Sequence, residues 1–117
     1  ILDLPELAIT STAVRLPVMG GHSESVNIEF RSEFEIDEIY ETLEKVDGLE
    51  IIDDPKNNEY PMPLMAKGKD EVFVGRIRRD ESLKYGLNLW IVSDNLRKGA
   101  ATNAVQIAEF IKSKNWV

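Results

Sequence analysis

Between Val14 and Phe30 the chain sets two strand-like runs around a proline and a Gly-Gly pair, and this break constrains every arrangement of the rest. Residues 8–16 are dense in β-branched side chains and predict a strand. Counting by twos puts Ile9, Ser11, Ala13 and Arg15 on one face, with Thr10, Thr12, Val14 and Leu16 opposite. Pro17 and Gly20-Gly21 then end the run, and from Glu24 the alternation returns. Glu24, Val26, Ile28 and Phe30 face one way; Ser25, Asn27 and Glu29 face the other. The break carries His22, the only histidine in the chain, and Arg15 lies seven residues before it. A guanidinium grips a carboxylate or phosphate with a planar fork, and an imidazole moves protons near neutral pH. Two strands delivering both to one mouth would make half of an active site, since no nucleophile stands beside them.

The remaining elements follow from periodicity. Ile36, Ile39, Tyr40, Leu43 and Val46 recur at helical spacing, predicting an amphipathic helix over residues 35–47. Glu35, Asp37 and Glu38 place negative charge at its positive end, and Gly48 is a stop. Residues 49–52 form a short apolar strand. Residues 53–69 hold three prolines and a glycine and are expected as a long irregular excursion that packs on a partner or a site. Residues 71–79 and 87–93 predict a hairpin, its second strand apolar on both faces and therefore covered on both. Asp94 or Asn95 caps a last helix reaching about Lys112, with Ala101, Ala104, Val105, Ala108 and Ile111 as its stripe. The order predicts an α+β fold in one domain: a mixed or antiparallel sheet with helices on one face.

Composition removes several function classes. The chain has 117 residues, 43% of them hydrophobic and 30% charged, which suits a globular core. Fourteen Lys and Arg against 21 Asp and Glu give a formal charge of -7, contrary to a nucleic-acid surface. With no cysteine the chain has neither disulfides nor thiolate metal sites, which also fits a cytoplasmic setting. No apolar run approaches the roughly 20 residues that span a bilayer, so no membrane partner is expected. The sequence begins at Ile1 rather than methionine, as a piece of something longer would. A single histidine offers no metal-site argument, and Asp53, Asp54 and Glu59 lack the spacing of a calcium loop, so no metal is expected. Arg76, Arg78 and Arg79 read as a solvated strand edge or an inter-subunit contact. Residues 95–99, at a helix start, could receive an anion or a cofactor, although a plain cap is the commoner reason for such residues.

Five ordered blocks resemble the carboxy-terminal portion of the aspartate-β-semialdehyde dehydrogenases. They are Val14-Arg15-Leu16-Pro17-Val18 with Gly21-His22-Ser23-Glu24; Asp53-Asp54-Pro55 with Asn58-Glu59-Tyr60-Pro61-Met62-Pro63; residues 70–78; Gly86-Leu87-Asn88-Leu89-Trp90; and residues 94–106. The resemblance implies a glyceraldehyde-3-phosphate-dehydrogenase-like carboxy-terminal domain and NADPH-dependent reductive dephosphorylation of aspartyl phosphate to aspartate semialdehyde. It implies His22 as the catalytic acid/base and Arg15 as the substrate-carboxylate ligand. Asn95 is implied as the contact to NADP, extended by Lys98 and Gly99. The nucleophilic cysteine and the nucleotide-binding fold would precede Ile1, so the chain alone is expected to be inactive. Residues 1–93 would belong to the catalytic and dimerisation domain, and 94–117 would form a helix packed on the absent NADP-binding domain. The implied partners are the small-molecule substrate, phosphate, and further copies in a homodimer or homotetramer. The rivals are an N-acetyl-γ-glutamyl-phosphate reductase-like enzyme and a non-catalytic dimerisation module using the sheet face around Trp90.

Overall fold

The computed structural model describes residues 3–116 and builds them on the expected hairpin. β3 (Val72–Asp80) and β4 (Gly86–Ser93) pair antiparallel, from Val72 opposite Ser93 to Asp80 opposite Gly86. β1 (His22–Glu29) lies antiparallel to β4 on one side, and the three-residue β2 (Leu49–Ile51) lies parallel to β3 on the other. The resulting sheet runs β1-β4-β3-β2 and is mixed.

Alternation sorts the side chains onto two faces. Val74, Ile77, Leu87 and Leu89 point to one, where Phe34 and the apolar stripe of α1 (Ile36–Glu44) close over them. Ile36, Ile39, Tyr40 and Leu43 supply that stripe, as the helical spacing requires. A reciprocal box between Glu35 and Glu38 caps the helix start, and Gly48 takes a left-handed φ of +78° beyond its end. The other face buries Phe73 and Val92 against Ala66, which sits on the single turn α2 (Pro63–Ala66). Phe73 and Leu87 are each 1% exposed, and burial of such side chains contributes about 1.5–3 kcal/mol apiece. The expected excursion thus packs on the sheet, with Trp90 Nε1 donating to the Pro61 carbonyl at 2.8 Å.

β3 contains an irregularity that alternation does not announce. Gly75 opposes Trp90 and Arg78 opposes Asn88, so three steps on β3 match two on β4. Arg76 absorbs the extra residue as a bulge with φ +54°. Val74 and Ile77 therefore reach the same core although three positions apart.

Two expectations are corrected. Residues 8–16 form no strand: the run has no regular structure and is exposed, with Ile9 and Val14 each 75% accessible. High β-propensity sets an extended backbone, but a ladder needs a second strand, and β1 pairs only with β4. The last helix starts later than expected: α3 spans Ala101–Ser113, and the residues after Asp94 form turns. Asp94 caps the first of those turns, because its carboxylate accepts from Leu96 N two residues on. α3 buries none of its residues. Among the described residues, no helix is long and apolar enough to cross a membrane.

Candidate active-site edge

His22 opens β1 at the end of the sheet, paired with Ser93, and its side chain is exposed. Gly20 and Gly21 lead into it with φ +71° and +99°, in the region that favours glycine. Gly21 also fits tightly, since a Cβ there would lie 3.2 Å from the Ser93 carbonyl and 3.4 Å from Pro63 Cβ. Its N–H donates to Asn95 Oδ1 at 3.3 Å, across 74 positions of sequence. That contact joins the peptide carrying His22 to the turn carrying Asn95.

The turn is clamped from several sides. Asp94 is 5% exposed; its Oδ2 accepts Gly68 N at 2.7 Å and its Oδ1 accepts Leu96 N at 2.9 Å. The N–H groups of Arg97 and Lys98 both donate to the Asp94 carbonyl. The donated Gly68 and Leu96 N–H groups hold the Asp94 carboxyl below the usual carboxylate range. Arg97 forks onto Asp70, with Nε and Nη2 at 2.6 and 2.8 Å from the two oxygens. The hydrogen bond lowers the Asp70 pKa and raises that of Arg97.

The residues expected to meet a cofactor differ in availability. Asn95 turns its carbonyl oxygen to Gly21, because only an acceptor can meet that N–H, and its Nδ2 has no hydrogen-bond partner among the described residues. Gly99 has φ +84° and open space where a Cβ would stand. Lys98 Nζ is held by Gln106 Oε1 at 2.8 Å, so it reaches a ligand only by giving up that bond.

Arg15 does not fit the expected picture of two neighbouring strands. It lies in the exposed irregular segment and makes no hydrogen bond or ion pair among the described residues. The structure thus ties His22 to Asn95, Lys98 and Gly99 through one turn and makes no such tie to Arg15. Asp94, Gly68 and the Asp70–Arg97 pair support this edge without having been singled out for that role, since their partners lie up to 27 positions away.

A second concavity lies on the sheet face away from α1. It has a volume near 480 Å³ and is lined by Ser25, Asn58, Tyr60, Arg76, Arg78, Leu89 and Trp90. It shares no lining residue with the His22 edge.

Residues 1–98 match the family described as "Semialdehyde dehydrogenase, dimerisation domain". The chain belongs to this family. The aspartate-semialdehyde dehydrogenase of Aquifex aeolicus is 55% identical over 105 residues, covering 90% of this chain and 31% of that protein. The Bacillus subtilis aspartate-semialdehyde dehydrogenase is 50% identical over 118 residues, covering 100% and 34%. The chain therefore spans about a third of the length of these semialdehyde dehydrogenases. Among solved structures, aspartate semialdehyde dehydrogenase II of Vibrio cholerae in complex with ASA superposes with a TM-score of 0.77 at 46% identity, over 85% of this chain and 29% of that one. The Candida albicans aspartate semialdehyde dehydrogenase with NADP gives 0.68 at 26% identity, over 88% and 33%. The mixed sheet with its helices is thus the dimerisation-domain architecture of this dehydrogenase family.

Proposed function

We propose that this chain supplies the acid/base half of an NADP-dependent aspartate-semialdehyde dehydrogenase, which reductively dephosphorylates aspartyl phosphate to aspartate semialdehyde. The observation that carries the reading is the Gly21 N–H to Asn95 Oδ1 bond. It joins the peptide that precedes the one histidine to a side chain whose amide nitrogen is uncommitted, which supports the reading. The relatives named for this activity supply the substrate class.

In this reading the Arg15 fork holds the substrate carboxylate, a contact its free guanidinium permits. His22 in its neutral form takes the proton from a thiol attacking the acyl carbon, and the acyl–phosphate bond breaks with phosphate as the leaving group. The imidazolium returns a proton as charge develops on the carbonyl oxygen during reduction. The chain has no cysteine, so that thiol comes from sequence outside it, and this chain alone has no turnover. Asn95 Nδ2 donates to an acceptor on NADP, and Gly99 lets the cofactor approach the backbone. Bound there, NADPH supplies the hydride. Lys98 joins only on release from Gln106.

In the complete enzyme, His22→Ala lowers kcat by about 10²–10⁴-fold, the usual contribution of a positioned acid/base. Arg15→Lys mainly raises KM for the acyl phosphate, because a point charge cannot reproduce the fork. Unchanged kinetics in both variants would remove the assignment.

The complete protein assembles as a homodimer, or a homotetramer built from it, through the open sheet face around Trp90. The Arg76 side chain there, with Arg78, whose Nη1 donates to the Arg76 carbonyl at 2.6 Å, meets carboxylates of a second, equally acidic copy. Arg76→Glu should therefore shift the complete enzyme toward monomer in sedimentation velocity, and an unchanged oligomer would exclude this face.

A further inference from the structure

The geometry points to Asn95 as the positioning residue for His22, acting from the oxygen end of the same carboxamide whose nitrogen end faces the cofactor. This rests on the acid/base reading of His22 given above, and adds that cofactor contact and imidazole placement are governed by one side chain.

Gly20 and Gly21 both take positive φ, and two consecutive glycines leave the peptide before His22 with many alternative conformations. β1 itself restrains His22 only from one side, through its register with Ser93. Beyond that rung the backbone ladder stops. Asn95, two residues past Ser93, supplies the next rung from its side chain: Oδ1 stands where a β4 carbonyl would be and accepts the Gly21 N–H. A Cβ on Gly21 would crowd the Ser93 carbonyl at 3.2 Å and Pro63 Cβ at 3.4 Å, so with its φ of +99° the position is kept for glycine.

Asn95 is a suitable anchor because its own backbone is held. Asp94 grips Gly68 N and Leu96 N, the Asp94 carbonyl receives Arg97 N and Lys98 N, and Arg97 is forked onto Asp70. A clamped turn, a side-chain rung and a glycine hinge therefore form one path from the 94–98 turn to the imidazole. Since Oδ1 is used by Gly21, Nδ2 is necessarily turned away from it and remains free to donate. A ligand that orders Nδ2 thereby orders the Gly21 peptide as well.

Two substitutions separate the ends of the amide. Asn95→Asp keeps an oxygen for Gly21 and loses the donor; Asn95→Ala loses both. In the complete enzyme both variants should weaken NADP binding, measured by calorimetry. At saturating cofactor, each read at its own pH optimum, Asn95→Ala should lose about tenfold or more in kcat, the scale of a displaced catalytic group. Asn95→Asp should recover most of that loss while its cofactor KM stays raised. Without any cofactor, the modification rate of His22 by diethyl pyrocarbonate, located by peptide mass, should rise several-fold in the Ala variant and stay near wild type in the Asp variant. Equal kcat and equal modification rates in the two variants would overturn the positioning role. Undiminished turnover in His22→Ala would instead overturn the active-site reading beneath it.

Discussion

Gly75 stands where β3 leaves its register, and no side chain fits there. A Cβ would come within 2.1 Å of the Ile52 carbonyl oxygen and 2.6 Å of Pro61 Cδ. The first obstacle is backbone of the adjoining segment, so relief means pulling that segment off β3. Gly75→Ala should destabilise the fold by about 3 kcal/mol, the upper range for forced overpacking, read as a lowered denaturant midpoint at unchanged slope. A loss below about 1 kcal/mol would show that the bulge is soft. Beside it, Asp53 Oδ2 accepts Ile77 N at 2.7 Å and the Tyr40 hydroxyl at 2.8 Å, tying bulge to helix. Burial first, and then Asp53, push the Tyr40 phenol up to about 12. Its neutral form is the one the fold favours, so the stabilisation is complete below 10.0 and is lost as pH rises toward 12. Neither role is legible locally. Asp53 reads as one of two adjacent acids, and its partners lie 13 and 24 positions away. His22 is legible, because a sole histidine after paired glycines stands out in any reading.

Elements were legible where a period ran unbroken. α1, β2 and the β3–β4 hairpin fall where alternation and helical spacing put them. The failures have physical causes. Residues 8–16 have strand chemistry without a neighbouring strand, and a ladder is a property of two segments. The bulge at Arg76 resets the parity of β3, which alternation cannot report. The turns after Asp94 displace the helix start because a buried carboxylate can close a turn as readily as cap a helix. That last element carries a pH prediction. The folded pKa of Asp94 is depressed by the Gly68 and Leu96 N–H groups, so its stabilisation is present above 3.8 and lost as pH falls through the lower folded value. Asp70, depressed by Arg97, acts in the same direction. Acidification below the ordinary carboxylate range should therefore speed amide exchange at Gly68, Leu96 and Lys98 before the β3–β4 ladder opens. Simultaneous opening of turn and ladder would show that Asp94 is not a local clamp.

At the scale of the molecule, the sheet and α1 form a self-contained layer while α3 does not join it. Val105 is 57% exposed, and the exposed Ala101, Ala104 and Ala108 around it leave a flat, narrow stripe suited to close contact with another surface. In the proposed enzyme that surface is the NADP-binding domain, and α3 follows directly on the turn that carries Asn95, Lys98 and Gly99. Val105→Asp tests this division. In this chain by itself the change touches no buried contact, so its unfolding free energy should stay within about 0.5 kcal/mol of the parent. In the complete enzyme the same carboxylate would be forced into an apolar contact, lowering the melting temperature and weakening NADP binding together. An equal loss of stability in both contexts would mean that α3 packs on its own sheet. No loss in either would mean that it faces solvent throughout, and the stripe would then owe nothing to a second domain.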